Sequence, residues 1–355
     1  MAGSMVRRPR PPSEWYDYLH EERSQAHEAP TTVVTDIEAR APQRSPAASL
    51  LVQSAEPRRR GHSAWIHRRD RRGVVFVVPF ILAFLLFSIA PLGYAIYTSL
   101  YTSKLIGGTS YSGLANYTST FDTGEFWSGL LRVVIFGAIQ IPVMLVIAFF
   151  FATMFDLGVA KAGGFFRVIF FIPFAVPAVV ASVMWSFLLE PQFGPFTHLA
   201  NVLGFPNTNF LGPNLIFPVL IVIVIWEWTG YNMVILYTAL KSVPRELIEA
   251  AVLDRTPMWK IVLKVKLPMV RPAIVLLAFL NVIGALQLFT EPIILQYYAP
   301  ESISNYYTPV LYLYNTAIGG QQYNLAAAGA VLFGIIIVVI SVGSLIVRRR
   351  RGELR

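Results

Sequence analysis

Apolar segments about as long as a lipid bilayer is thick recur along most of this 355-residue chain. A helix needs roughly 20 mostly apolar residues to cross a hydrocarbon core of about 30 Å. Backbone polar groups inside lipid must be hydrogen-bonded within the segment, so such segments form helices. The sequence therefore predicts an all-α membrane protein with six spans. Their predicted bounds are 74–100, 130–155, 165–189, 215–240, 273–295 and 325–347.

The composition agrees with a membrane protein and excludes several other classes. Hydrophobic residues make up 55% of the chain and charged residues only 14%, with a mean hydropathy of +0.55, a balance that water-soluble domains rarely reach. Cysteine is absent, which excludes a disulfide framework and a thiolate metal site. Most basic residues lie at the ends of the apolar segments, so the net charge of +9 does not indicate nucleic-acid binding.

Residues 1–68 differ from the rest of the chain. They are rich in Pro, Ser, Ala, Arg and Glu and show no apolar periodicity, which predicts a disordered, basic cytoplasmic tail. The tail has no apolar h-region, so it is not predicted to be a cleavable secretory signal. The Arg clusters at 58–60 and 68–72 are interpreted as a topology anchor rather than a nucleic-acid site. Residues 69–355 are predicted to form the transmembrane domain.

The distribution of Lys and Arg predicts the orientation of the spans. The loop after the fourth span is strongly basic, as are the stretch before the first span and the C-terminus, Arg348–Arg351. Lys161 follows the second span on the same side. The loops 191–214 and 297–324 contain no Lys or Arg, and only Lys104 and Arg132 depart from the pattern. We therefore expect both termini to face the cytoplasm.

Proline residues interrupt several spans, and Pro79, Pro91, Pro142, Pro173 and Pro177 all lie within them. Neighbouring helices can satisfy the backbone groups that proline frees, so we expect the spans to pack as a bundle.

The loop 241–272, called the charged loop below, separates the fourth and fifth spans. Pro244 and Thr256-Pro257 predict the starts of two short amphipathic helices, and Pro268 and Pro272 predict the end of the element. The first helix carries Glu249, Ala250 and Ala251 and ends near Asp254. One alternative is a helix lying on the lipid surface. A Glu-Ala-Ala face that ends in Asp is poorly suited to anionic lipid, whereas its small residues suit close approach by another protein.

The charged loop resembles a family motif. The pattern E-A-A-x-x-D, a spacer and then L-P, here Glu249-Ala250-Ala251, Asp254 and Leu267-Pro268, is similar to the EAA loop of permease subunits in binding-protein-dependent ABC importers. The resemblance extends from about residue 70 to the end. Three further stretches are similar to the sugar-type subset, on the side of the maltose-permease large subunit: LANYTSTFDTGEFWSGL, FFRVIFFIPFAVPAVVASVMWSFLLEP and WEWTGYNMVILYTALKSVPRELIEAA.

This resemblance implies the type I ABC importer permease fold in the bacterial plasma membrane, with the charged loop as the coupling helix. The implied partners are a second permease subunit, a cytoplasmic ATPase dimer and an extracytoplasmic binding protein. The chain has no G-x-x-x-x-G-K-[ST] phosphate loop and no catalytic constellation, so it is not expected to be an enzyme or to bind a cofactor. ATP would be bound by the partner ATPase.

The charged loop departs from the family pattern at one place. Arg255-Thr256 follow Asp254 where the family usually has Gly-Ala. Glycine is favoured where the backbone needs a positive φ, so Arg255 is expected either to carry strain or to force a different turn.

Polar residues within the fourth and fifth spans are candidates for the substrate path, because a charge at the centre of a span costs about 2.5–3.5 kcal/mol on insertion scales. Glu227, Trp228 and Tyr231 share a face of the fourth span, and an aromatic ring beside hydrogen-bonding groups suits a sugar. When the chain is aligned with the maltose-type permease on the charged loop, the resemblance implies these residues for the substrate path: Glu227, Trp228, Tyr231, Asn281, Gly284 and Ala285.

Alternatives to this substrate path stay open. Glu227 would then lie near the outer interface or pair with another subunit, with Trp226, Trp228 and Tyr231 as an aromatic belt. Asn281 would make a contact between helices. The tyrosines of 297–324 are interpreted as interfacial anchors or as a contact surface for the binding protein. Rival functions are an ion-coupled secondary transporter, which would need more ionisable residues deep in the spans, and a non-transporting membrane scaffold.

Overall fold

The computed structural model describes residues 71–104, 107–158 and 163–350. The predicted tail 1–68, with the Arg cluster 58–60 and Arg68, lies outside the described residues, as do Arg69, Lys161 and Arg351. The described chain is mostly helical, as predicted, and its one sheet is a small hairpin.

The first predicted span is a helix with a π-helical turn in its middle. It comprises α1 (Arg71–Phe84), the turn Leu85–Ile89 and α2 (Ala90–Ser99). No part of its most apolar stretch, within Phe76–Ser99, is buried against the rest of the chain. This span is therefore available to lipid or to another subunit.

A short antiparallel hairpin follows the first span, with β1 (Tyr101–Lys104) paired to β2 (Gly108–Tyr111) and Tyr101 opposite Tyr111. Helix α3 (Ala115–Asp122) connects the hairpin to α4 (Gly124–Asp156), which is the second span. Asn116 joins α3 to the end of the first span and to β1, because its side-chain amide donates to the carbonyls of Ser99 and Tyr101 at 2.8 Å.

The third predicted span is bent rather than straight. It consists of α5 (Gly163–Ala175) and α6 (Ala178–Leu188), whose axes differ by 95°. The break falls at Val176-Pro177. Proline disfavours the helical conformation in the residue before it, and Pro177 here has an extended backbone with ψ of 133°. The span predicted as one segment over 165–189 is therefore two helices joined at a sharp bend. Helix α7 (Pro195–Val202) follows in the next loop.

Helix α8 (Ile216–Lys241), the fourth span, lies at the centre of the core. Its fully buried residues, including Ile223, Met233 and Leu236, pack in one cluster with Phe136 and Ala148 of α4. Gly230 of α8 allows α5 to approach closely, since a Cβ at this position would collide with the carbonyl of Phe170.

The charged loop forms α9 (Arg245–Leu253) and α10 (Met258–Ile261), as the sequence predicts two short helices there. The second helix does not end at Pro268 or Pro272, which is a correction. It continues through a π-helical turn, Val262–Lys266, into α11 (Leu267–Leu286). Pro268 directly follows the π-helical turn.

The fifth span also ends earlier than the predicted 295. Helix α11 stops at Leu286, and a separate helix, α12 (Thr290–Tyr298), begins after the break at 287–289. The remaining elements are α13 (Pro309–Tyr314), the π-helical turn Asn315–Gly319 and α14 (Tyr323–Arg350), which contains the sixth predicted span.

Within the described residues, five continuous helices are long and apolar enough to cross a membrane, and the bent pair α5–α6 makes a sixth candidate. This number agrees with the six predicted spans. Arg132, an exception to the charge pattern, donates to the carbonyl of Tyr307 at 2.8 Å and lies over its ring. Tyr307 and Tyr312 are buried, which does not fit the interpretation of these two as interfacial anchors, whereas Tyr297 and Tyr298 are exposed.

Candidate functional site

A cavity of about 330 Å³ opens between α8 and α11, and we call it the α8–α11 cavity. Parts of α4, α6 and α12 complete its wall. The six residues predicted for the substrate path all line this one cavity: Glu227, Trp228, Tyr231, Asn281, Gly284 and Ala285. The structure brings them together from two separate helices, while their role in transport stays a prediction.

The α8 side of the cavity combines a buried carboxyl group with aromatic rings. Glu227 is only 5% exposed, and its Oε2 has no hydrogen-bond partner in the described part of the chain. Phe174 stacks on Tyr231 with ring centroids 4.7 Å apart and meets Trp228 edge-on at 5.2 Å. Trp226 packs instead against Trp185, away from the cavity wall. The three aromatic residues Trp226, Trp228 and Tyr231 therefore do not form a single belt.

The α11 side contributes an amide that also joins the two helices. The Asn281 amide donates to Asn232 Oδ1 of α8 at 2.9 Å and to the Leu277 carbonyl at 2.8 Å. Asn232 in turn donates to the Trp228 carbonyl at 2.9 Å. Asn281 thus makes the contact between helices that one interpretation expects, and it lines the cavity as the other expects.

Two small residues, Gly284 and Ala285, line the α11 side of the cavity and leave space in front of it. A Cβ at Gly284 would meet no atom within 4 Å, so Gly284 borders open space. Ala285 lies against α4 at Gly137, where an added Cβ would be 3.3 Å from the Ala285 methyl.

The sequence reading missed a second buried acid at the cavity. Glu291, in the first turn of α12, is 8% exposed and lines the cavity close enough for its carboxyl to interact with that of Glu227. The break after Leu286 places Glu291 beside the α8 residues of the cavity, and no proline or glycine immediately after Leu286 marks that break in the sequence. Among the described residues, no group of three or more His, Asp or Glu side chains could hold a metal ion.

The helices that line the cavity also carry the charged loop, because α8 leads into it and α11 leads out of it. A carboxylate ties the two helix ends together at the loop. Asp156, the last residue of α4, pairs with Lys241 at 3.1 Å and with Lys266 at 2.5 Å. The sequence reading did not identify this triad, since its members are far apart along the chain.

Helix α9 presents most of its residues to the surroundings. Glu249, Ala250 and Asp254 are exposed and Ala251 is half-buried, while Ile248 anchors the helix on the core. Leu253 is 83% exposed and Val252 is also exposed, so α9 offers an uncovered apolar patch next to the Glu-Ala-Ala residues. Pro268 is exposed at the other end of the charged loop, apart from this patch.

Helix α9 ends in a Schellman motif. The N–H of Thr256 donates to the Ala251 carbonyl at 3.0 Å, and that of Arg255 to the Val252 carbonyl at 2.9 Å. Arg255 has a φ of 54°, the left-handed conformation that this motif normally gives to glycine. The strain expected for Arg255 is therefore present, and the usual turn is kept.

A bundle of membrane-spanning helices with a polar cavity and an exposed charged loop defines a membrane transport subunit. The chain belongs to the family described as "Binding-protein-dependent transport system inner membrane component", whose model matches residues 113–351.

Curated relatives with named substrates fall in the same family. The chain is 30% identical over 224 residues to the lactose transport system permease protein LacF of Rhizobium radiobacter, covering 62% of this chain and 75% of LacF. It is 26% identical over 225 residues to the trehalose/maltose transport system permease protein MalF of Thermococcus litoralis, covering 63% of this chain and 76% of that protein. It is 25% identical over 269 residues to the sn-glycerol-3-phosphate transport system permease protein UgpA of Salmonella typhimurium, covering 76% and 90%.

The fold matches that of one chain in a solved ABC transporter. A chain in the crystal structure of a bacterial ABC transporter involved in the import of the acidic polysaccharide alginate superposes with a TM-score of 0.70. The match covers 79% of this chain and 96% of that chain at 20% sequence identity. The likeness supports the permease fold that the resemblance implied.

Proposed function

We propose that this chain is one of two different permease subunits of an ATP-driven importer for a sugar or polyol, free, oligomeric or phosphorylated. The substrate would be delivered by an extracytoplasmic binding protein. It would pass between this chain and its sister subunit, through a path that includes the α8–α11 cavity. The named substrates of LacF and MalF, lactose and trehalose/maltose, support the sugar class.

The observation that carries the proposal is the continuity between the charged loop and the cavity. Helix α8 connects Glu227 at the cavity with Lys241 at the start of the charged loop. The π-helical turn and α11 connect Lys266, within the loop, with Asn281 at the cavity. The two helices are joined at the cavity by Asn281 and Asn232 and at the loop by Asp156. A displacement of the charged loop would therefore move both cavity walls.

The exposed surface of α9 suits an ATPase partner. A short helix inserted in a socket moves as a body when the socket moves, and Glu249 can pair bidentately with an Arg of the partner. The exposed Leu253 and Val252 would be covered in the same contact. ATP would be bound and hydrolysed by a cytoplasmic ATPase dimer, with both termini of this chain on the same side of the membrane.

Purification of the tagged chain in mild detergent, followed by mass spectrometry, tests this proposal. We expect an ATPase and a second, different permease subunit to be recovered with it. Recovery of the chain alone, or of a homodimer without an ATPase, would contradict the proposal.

A further inference from the structure

The α8–α11 cavity contains two acidic side chains from different elements. Glu227 lies near the middle of α8 and Glu291 in the first turn of α12, and each is more than nine-tenths buried. Their carboxyl groups interact with each other. Such a pair is costly to bury in a membrane protein unless it has a function or a partner.

No basic side chain offsets these acids at the cavity. The described residues that line it include no Lys, Arg or His. The nearby polar groups are neutral and come from Gln140, Asn281, Gln287 and Thr290. Glu227 Oε2 receives no hydrogen bond from any described residue, although the side chain is buried and faces the cavity. The wall therefore offers an unused acceptor to whatever enters.

We propose that this cavity takes a sugar or polyol without acidic groups, whose hydroxyl or amino hydrogens are bound by the Glu227–Glu291 pair. This inference rests on the proposed function and narrows its substrate class. Two buried carboxyl groups in contact can share a proton, so the pair accepts hydrogen bonds from ligand hydroxyl or ammonium hydrogens and can also donate one to a ligand hydroxyl oxygen. A phosphate or uronate group would bring a further negative charge next to two acids, with no cation on the described wall to compensate for it.

The aromatic side of the cavity suits the apolar face of the same ligand. Trp228 and Tyr231 stand on α8 beside Glu227, and Phe289 closes the cavity at the break after α11. Phe174 packs behind Tyr231 and Trp228, which holds the two rings in place. Rigid aromatic surface next to carboxyl acceptors matches a sugar ring, which has a C–H face and hydroxyl edges.

The family resemblance alone does not select this substrate class. UgpA is named for sn-glycerol-3-phosphate, which is anionic, and LacF for lactose, which is uncharged. The acidic wall of the cavity favours an uncharged substrate, as lactose is, over an anionic one.

The first test identifies the natural ligand. The binding protein that co-purifies with the importer is denatured, and the ligand it releases is analysed by mass spectrometry. We expect a sugar or polyol that is neutral or carries an amine. A sugar phosphate or an acidic saccharide would overturn this inference while leaving the importer function intact. A ligand that is not a carbohydrate or polyol would overturn both.

The second test measures uptake of that ligand by the full importer in proteoliposomes. Glu227→Gln and Glu291→Gln preserve shape but replace one carboxyl of the pair by a neutral amide, which removes the negative charge and the proton that the two acids can share. We expect each variant to lower kcat/KM for uptake roughly tenfold to hundredfold. Asp122→Asn, an exposed change at the end of α3 and outside the cavity, serves as the matched control.

The readout separates binding from folding. Assembly with the ATPase and the second permease subunit should stay at the wild-type level in both Gln variants. Uptake equal to that of Asp122→Asn would show that the acids do not meet the ligand. Lost assembly in both Gln variants would show that the pair is structural, and this outcome too would contradict the inference.

Discussion

Replacing Asp156 by Asn is expected to destabilise the junction between α4 and the two ends of the charged loop. The side chains of Asp156 and Lys266 are 6% and 5% exposed, so the variant leaves a buried ammonium without its counter-charge. Removing one member of a buried ion pair costs about 3–5 kcal/mol. The side chain of Lys241 is 52% exposed, and its pair with Asp156 contributes about 0–1 kcal/mol.

These magnitudes predict how the thermal midpoints of four variants rank. Asp156→Asn should lower the thermal midpoint of the purified importer most. Lys266→Met should have a smaller effect, because Asp156 keeps Lys241 as a partner. Lys241→Gln should be close to wild type. The double variant Asp156→Asn/Lys266→Met should recover part of the loss, since it removes the unpaired charge together with its partner.

The assay is a thermal shift in detergent, combined with ATP-driven uptake and basal ATPase activity in proteoliposomes. If Asp156 fastens the charged loop to the cavity helices, the Asn variant should hydrolyse ATP with reduced uptake per ATP. A midpoint for Asp156→Asn equal to that of Lys241→Gln would refute the reasoning, because it would show that the buried pair does not fix the junction.

Three further predictions concern the backbone and the coupling surface. Arg255→Gly should stabilise the turn after α9 by about 1 kcal/mol, since glycine adopts the observed positive φ without strain, and a lower thermal midpoint would contradict this. Gly230→Val should separate α5 from α8 and cost about 1–3 kcal/mol or more, whereas Gly284→Ala should be neutral in a thermal shift assay. Equal midpoints for these two variants would rule out the close packing at Gly230. Glu249→Arg should reduce uptake to background while membrane insertion persists, with Asp122→Arg as the control, and normal uptake by Glu249→Arg would refute the coupling role.

The sequence was sufficient to predict the helical spans because bilayer thickness imposes a length and an apolarity that few other structures share. Polar groups such as Glu227 stand out in an apolar helix, which led to the cavity residues on α8, and the resemblance to the maltose-type permease added Asn281, Gly284 and Ala285 on α11. A single departure from a family pattern left strain or a different turn at Arg255, and the positive φ in the structure corresponds to the first alternative.

The breaks in helices were harder to predict. Val176-Pro177 is visible in the sequence, but membrane helices often continue through proline, so the 95° bend depends on packing. The stop at Leu286 has no proline or glycine immediately after it. Glu291 was missed for that reason, because a continuous span to 295 would have left it at the membrane edge.

Contacts between distant segments could not be predicted from local pattern. Asp156 lies at the end of one helix, and Lys266 is 110 residues further along the chain. Nothing in the residues around either side chain indicates its partner. Only the packing of α4 against α8 and α11 places them together.

The link between the charged loop and the α8–α11 cavity is central to the proposed transport, and thiol accessibility measures it directly. The chain has no cysteine, and a side chain at 284 would point into open space, so Gly284→Cys gives a single reporter within this subunit. We expect its reactivity with a membrane-impermeant maleimide to differ between nucleotide-free and ATP-trapped importer, and this difference to vanish when Glu249→Arg is added. Reactivity at 284 that is the same in both nucleotide states would contradict the link between loop and cavity.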